Sequence, residues 1–194
     1  MSQVTASLVK ELREKTGVGM MDCKTALKEN DGDIEASIDW LRTKGIAKAA
    51  KKEGRIASEG LIAVEKIDNT ASIIEVNSET DFVARNEDFQ NVVKKLSILS
   101  IKSNNLEELL DKELDNENIK VKDYIIVLFV FFGVYINLRR IDKISISNGV
   151  IASYIHNQVI EGMGKIGVLV GLDSEADNDQ LEDLGKKIAM HIAA

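Results

Sequence analysis

Residues 60–76, GLIAVEKIDNTASIIEV, decide the fold. Two short runs rich in β-branched residues, Leu61-Ile62-Ala63-Val64 and Ile73-Ile74-Glu75-Val76, flank Asp68-Asn69-Thr70, whose residue types favour a turn. The stretch reads as a β-hairpin. Downstream the period changes to that of a helix. From about Asn86 to Ile101, Phe89, Val93 and Leu96 share one face, and Glu87 and Asp88 sit in the first turn where the helix dipole favours acids. A polar, acidic stretch covers Asn104 to Asn118. Three further strands are expected at Lys143–Ser147, Val150–Ile155 and Lys165–Leu172. In the last of these Ile166, Val168 and Val170 alternate with Gly167, Leu169 and Gly171, which leaves one face small and open to close approach. A final helix, Asp179 to about Ala193, carries Leu181, Leu184, Ile188 and Ile192.

Upstream of the hairpin, residues 5–45 read as three short helices. The first holds Leu8, Val9 and Leu12 on one stripe and ends near Thr16-Gly17. The second runs from about Met21 to Asn30 with Cys23, Ala26 and Leu27 inward. Asp31-Gly32-Asp33 stops it, and Asp33 is placed to cap the third, where Ile34, Ile38 and Leu41 recur at helical spacing and Gly45 is the expected C-cap. So small a bundle is marginal alone by surface-to-volume scaling, which fits a docking unit better than a catalytic one. Residues 46–58 read as a solvated linker or helix extension. Arg42, Lys44, Lys48, Lys51, Lys52 and Arg55 face one acid there, Glu53, and no aromatic is interleaved for base stacking.

Composition narrows the function. The 194 residues are 44% hydrophobic and 29% charged, which is globular, and 25 basic against 32 acidic residues give a net charge of −7. An acidic chain argues against direct nucleic-acid binding, which draws its affinity from Lys and Arg. The single cysteine, Cys23, forms no internal disulfide and suits a reducing, cytosolic compartment. With one Cys and two His, His156 and His191, no four-ligand Cys/His zinc site can assemble. The N-terminal residues lack a secretory signal pattern. The uncharged run Tyr124–Leu138, YIIVLFVFFGVYINL, falls short of the roughly 20 apolar residues of a membrane span, so a buried helix or strand is expected. In a helix, Phe129, Phe131 and Phe132 spread around the axis and cannot all face inward.

Signatures of catalysis are missing: no G-x-S-x-G, P-loop or H-E-x-x-H occurs. Gly162, Gly164 and Gly167 space as G-x-G-x-x-G but open a strand rather than a helix, which excludes dinucleotide binding by that route. His156 reads as an ordinary histidine. No cofactor, catalytic residue or metal ligand is expected. The least ordinary stretch is Glu79-Thr80-Asp81-Phe82-Val83-Ala84-Arg85-Asn86, which joins a strand to a helix. Phe82 either folds inward as a staple at the helix start or stands out beside Asp81 as an anchor for a partner's pocket. Pattern alone favours the inward fate.

Two long segments carry a resemblance. Leu12-Arg13-Glu14-Lys15-Thr16-Gly17-Val18-Gly19-Met20-Met21-Asp22-Cys23-Lys24-Thr25-Ala26-Leu27 resembles the N-terminal signature of bacterial elongation factor Ts, and Glu75-Val76-Asn77-Ser78-Glu79-Thr80-Asp81-Phe82-Val83-Ala84-Arg85 resembles its second signature. Ile136–Arg140, Ser153–His156, Gly164–Val170 and Ala189–Ala194 are similar to the family in the same order. The resemblance implies an α+β fold: an N-terminal three-helix ubiquitin-associated-like domain followed by an α+β core with antiparallel sheets and packed helices. The domains implied are a GTPase-docking domain at 1–54, a core N-subdomain at 55–140 with the Thr80–Val83 tip, and an incomplete core C-subdomain at 141–194. It implies a cytoplasmic guanine-nucleotide exchange factor for elongation factor Tu, not an enzyme, with no direct nucleic acid or membrane contact. Thr80, Asp81, Phe82 and Val83 would be the tip that dislodges the GTPase's Mg²⁺, with Phe82 the outward wedge. Leu12, Arg13, Met20, Met21, Gly133 and His156 would be further partner-binding residues. The alternative is a docking module that binds the GTPase with little exchange.

The resemblance has two departures. Family members usually carry a polar Gly-Glu-Asn-Ile-Asn where this chain has Gly133-Val134-Tyr135-Ile136-Asn137, after an unusual Phe129-Val130-Phe131-Phe132. They also continue past the final Ala-Met-His-Ile-Ala-Ala motif, so the resemblance reads this chain as a C-terminally truncated form.

Overall fold

The computed structural model describes residues 4–52, 57–114 and 119–194. Along the chain these form α1 (Ala6–Thr16), α2 (Met20–Glu29), α3 (Ile34–Lys52), β1 (Glu59–Ile67), β2 (Thr70–Ser78), α4 (Asp81–Ala84), α5 (Glu87–Ser100), α6 (Leu106–Asp111), α7 (Val121–Phe132), β3 (Ile136–Ser145), β4 (Gly149–Ile160), β5 (Met163–Asp173) and α8 (Asn178–Ala193). Helices and an antiparallel sheet occupy separate stretches of chain, so the class is α+β, as expected. The chain divides into two compact units, Met1–Ile56 with Lys122–Ile136, and Ala57–Val121 with Asn137–Ala194.

In the first unit Gly17 and Asp33 act as the expected stop and start signals, and Thr5 adds a cap the sequence reading did not name. Thr5 caps α1 by accepting the Leu8 N–H at 3.3 Å, and Gly17 ends it in the left-handed conformation, its N–H donating to Arg13 O at 2.7 Å. Asp33 accepts the Ala36 N–H at 2.9 Å to start α3. Val9, Leu12, Val18, Cys23, Ala26, Leu27 and Leu41 form the core, with Leu8, Ile34, Ile38 and Trp40 packed around it. Burial pushes the Cys23 thiol up, and its S–H donates to Val18 O at 3.4 Å.

A further element completes this core. Val130 of α7 packs against it, and Arg42 and Asp123 pair at 3.8 Å. Gly45 is not the expected C-cap. It lacks the left-handed backbone of the capping glycines, and α3 runs on through it to Lys52. Its role is steric: a Cβ there would stand 2.4 Å from Val130 Cγ2. Gly17 likewise leaves room for Phe131, whose ring would lie 2.4 Å from an added Cβ. The apolar run is therefore a helix followed by a strand. It breaks at Gly133, which is left-handed at φ 70° and whose N–H donates to Phe129 O at 2.9 Å. Leu128 and Phe129 are buried, while Phe131 stays 39% exposed. None of the described helices is long and apolar enough to cross a membrane.

The second unit is built on one five-stranded sheet of order β3-β2-β1-β5-β4. The hairpin pairs without interruption from Glu59↔Ser78 to Ile67↔Thr70, and Asp68 adopts the left-handed turn conformation. β3 starts seven residues before the expected Lys143: Ile136 and Leu138 alternate and are buried, and Arg139-Arg140 interrupts that pattern on what is an edge strand. The expected boundary at 140/141 falls inside β3, and the one at 54/55 lies outside the described residues. Of the basic cluster, Arg55 and the side chains of Lys48, Lys51 and Lys52 also lie outside them.

Two helices cover parts of this sheet. α5 packs across β1 and β2 through buried Phe89, Val93 and Leu96. α8 packs across β4 and β5, close enough that a Cβ on Gly185 would sit 2.6 Å from Ala152 Cβ. That closeness alters the expected α8 stripe. Leu181, Gly185 and Ala189 are buried, whereas Leu184 and Ile192 are exposed. Small residues let the helix approach and the bulky ones flank the contact. On β5, Gly167 faces Ile62, Ile73 and Ile155, the close approach its glycine face predicts.

The fit of α7 against α3 gives a direct test. Gly45→Leu puts a side chain where Val130 stands, and overpacking of this kind costs about 1–3 kcal/mol. The expected outcome is a lowered melting temperature by circular dichroism, despite leucine's better helix propensity. An unchanged or raised melting temperature contradicts the close approach.

Candidate functional site

The turn between β2 and α5 carries the most exposed large apolar side chain of the second unit. β2 ends at Ser78, Thr80 is extended (φ −138°, ψ 150°), and the chain then makes a single helical turn, α4, which the sequence reading missed. Val83 and Ala84 are buried and anchor this turn, leaving Phe82 79% exposed. Phe82 is therefore not the inward staple that pattern favoured; Val83 takes that place. Asp81 pairs with Arg85 at 3.3 Å, and Thr80 is half-buried. Of the four expected tip residues, three reach the surface, and Val83 does not, because a one-turn helix needs an apolar foot.

Polar side chains hold the turn. Ser78 Oγ–H donates to Thr80 O at 2.8 Å, and Gln90 Nε2–H donates to Ala84 O at 3.1 Å. Asn86 accepts the Asp88 and Phe89 N–H groups at 2.8 and 3.3 Å, capping α5. Sequence reasoning missed Ser78 and Gln90 as parts of this site. A signal existed for Gln90, which shares an inward stripe with Val93 and Ser97 at i, i+3 and i+7.

Behind the turn, β2 holds a buried acid, Glu75. Burial alone would raise its carboxyl. Hydrogen bonds from Asn77 Nδ2 at 3.0 Å, Arg140 Nε and Arg139 Nη1 at 2.9 Å outweigh that and hold it below its ordinary value. The two arginines lie on β3, so the acid also fastens the edge strand to the sheet.

The other expected partner-binding residues are dispersed. In the first unit, Met20 and Met21 project from the start of α2, 57% and 75% exposed, and Arg13 is exposed on α1. Leu12 is corrected: it is wholly buried in the three-helix core, where its stripe with Val9 puts it, and offers nothing to a partner. Gly133 is exposed but its visible role is to end α7. In the second unit, His156 lies exposed on β4 with Nδ1 3.1 Å from the Tyr154 hydroxyl. Among the described residues no cluster of His, Cys, Asp or Glu is arranged to hold a metal ion.

Fold and surfaces together define a class: a small α+β protein with three N-terminal helices and an exposed aromatic side chain on a strand-to-helix turn. Comparison with known proteins identifies which. The family model described as Elongation factor TS matches residues 79–194. Over its whole length the chain is 54% identical to elongation factor Ts of Methylobacterium radiotolerans, covering 63% of that protein. It is 54% identical to that of Xanthobacter autotrophicus and 52% identical to that of Parvibaculum lavamentivorans, covering 64% and 63% of them. The chain belongs to the elongation factor Ts family, and it spans a little under two thirds of the length of these curated relatives.

Two outcomes follow from this geometry. Because Phe82 makes little contact with its own chain, Phe82→Ala is expected to shift unfolding free energy by less than about 0.5 kcal/mol, measured by chemical denaturation. A large loss contradicts the exposed placement. Glu75, with its folded value below the ordinary 4.5, contributes stability that is complete above that value and is lost as pH falls through the lower folded one. Glu75→Gln should cost about 1–2 kcal/mol at pH 7, the low part of the range for charged hydrogen bonds because both guanidiniums are more than half exposed. The deficit should narrow below pH 4.5 in pH-dependent melts. A deficit that widens on acidification contradicts the assignment.

Proposed function

We propose that this chain is a guanine-nucleotide exchange factor of translation elongation, acting in the cytoplasm on elongation factor Tu. Residues 1–54, with Arg13, Met20 and Met21 as the contact surface, dock on the GTPase domain. The Thr80–Phe82 tip then displaces the Mg²⁺ that holds GDP. Gly133 and His156 add contacts at other surfaces. The observation that carries this reading is the exposure of Phe82 beside Asp81 on an anchored turn: a rigid aromatic outside the core, with an acid next to it, has the form of an interface anchor.

The physical logic needs no bond-making chemistry. Mg²⁺ bridges phosphate oxygens of the bound nucleotide and demands nearly ideal octahedral geometry, so a small shift of the elements that hold it is costly. A factor that binds the nucleotide-free GTPase better than the GDP form weakens GDP by the same ratio, by linkage. The chain's task is differential binding. Two exposed methionines suit it, since the flexible thioether adapts to an irregular apolar surface.

Stopped-flow release of a fluorescent GDP from the cognate elongation factor Tu tests the reading. Wild type should accelerate release strongly. Phe82→Ala should slow it roughly 30-fold at saturation, the equivalent of an anchor worth about 2 kcal/mol. Equal rates for wild type and variant, or no acceleration by wild type, would overturn the proposal; binding without acceleration would show a docking module instead.

A further inference from the structure

We infer that Ser78 and Gln90 are positioning residues that hold the tip ready-formed before any partner arrives; the inference builds on the exchange function proposed above. A four-residue helix cannot hold itself, because nucleation fixes several residues for one hydrogen bond. Here local help is slight: a solvent-exposed Asp81–Arg85 pair spans the turn. Thr80, in the N-cap position, makes no side-chain cap bond to the turn. What brackets it comes from outside. Ser78, wholly buried at the end of β2, donates to Thr80 O before the turn, and Gln90, 8% exposed on α5, donates to Ala84 O at its end.

Neither side chain is in its cheapest place. A buried glutamine costs free energy unless it is hydrogen-bonded, and an apolar residue would suit the inward stripe of α5. Its amide has a use there that an apolar group lacks: it ties the end of the turn to a helix fixed by Phe89, Val93 and Leu96. Ser78 ties the start to a strand whose every residue pairs with β1. Phe82 lies between two anchored carbonyls, so its ring is presented from a fixed backbone. Ordering entropy that a floppy turn would lose on binding is already spent. The tip's rigidity thus rests on two side chains that are themselves buried.

The test uses the full chain and two readouts. Amide hydrogen exchange in the free chain follows the N–H groups of Arg85 and Asn86, which donate to Phe82 O and Val83 O at 3.3 and 3.0 Å. In Gln90→Met these should exchange about tenfold faster, the loss of one net hydrogen bond, while the amides of α5 beyond its first turn keep their protection. GDP release from elongation factor Tu should then show a several-fold lower maximal rate with a half-saturating concentration close to that of wild type. A merely structural role moves neither selectively. Should Gln90→Met fail to fold, Ser78→Ala, which removes a single oxygen, makes the same test at the other end. Wild-type protection at Arg85 and Asn86 in the variant overturns the inference. If the wild-type chain releases no GDP, the proposed function fails, while the amide readout still decides whether the two residues hold the turn.

Discussion

Everything at the tip depends on how α5 sits on the β1–β2 hairpin. Leu61, Ala63, Ile74 and Val76 present one buried face, and Phe89, Val93 and Leu96 close over it. Polar contacts fix the seating: Ser72 Oγ and Ser100 Oγ lie 2.7 Å apart, and Lys94 pairs with Glu65 of β1 at 2.8 Å. Because strand and helix are locked together, the eight residues that join them have fixed ends. The chain leaves β2 at a buried serine and enters α5 at a capping asparagine, and the single turn between can be short, exposed and still ordered. Apolar burial in the core is in this way converted into the placement of one aromatic ring.

A second constraint runs through the first unit. α7 is nearly all apolar, with no charge from Tyr124 to Phe132. It meets α1 to α3 at two glycines whose missing side chains make room for it. Val134 and Tyr135, which follow Gly133, are both half-buried. Elsewhere in this unit Met20 and Met21 are exposed at the start of α2.

Much of this was legible in the residues. The hairpin, the N-terminal helices and the stripe of α5 rest on strong local chemistry: β-branched runs about an Asp-Asn turn, caps at Thr16-Gly17 and Asp33, and apolar side chains at helical spacing. What escaped is what local chemistry does not encode. Gly45 looks the same in sequence whether it ends a helix or admits a neighbour, and only Val130, 85 positions on, decides. β3 begins at the end of the apolar run, where buried Ile136 and Leu138 continue the apolar pattern of the helix before them and give no separate strand signal. α4 is a single turn, too short for an apolar pattern to repeat. Phe82 was the sharpest case: inward and outward fates need the same residues, and the choice was made by Val83, which fills the inward site.

The central claim is that the tip acts through the Mg²⁺ of the partner GTPase, and the most direct measurement varies that ion. GDP release from elongation factor Tu should be followed with and without the chain, first in millimolar Mg²⁺ and then with the ion chelated. If displacement of Mg²⁺ is how the chain works, its acceleration should be large in the first condition and shrink markedly in the second, where the ion is already gone. The same fold acceleration in both conditions would contradict the account.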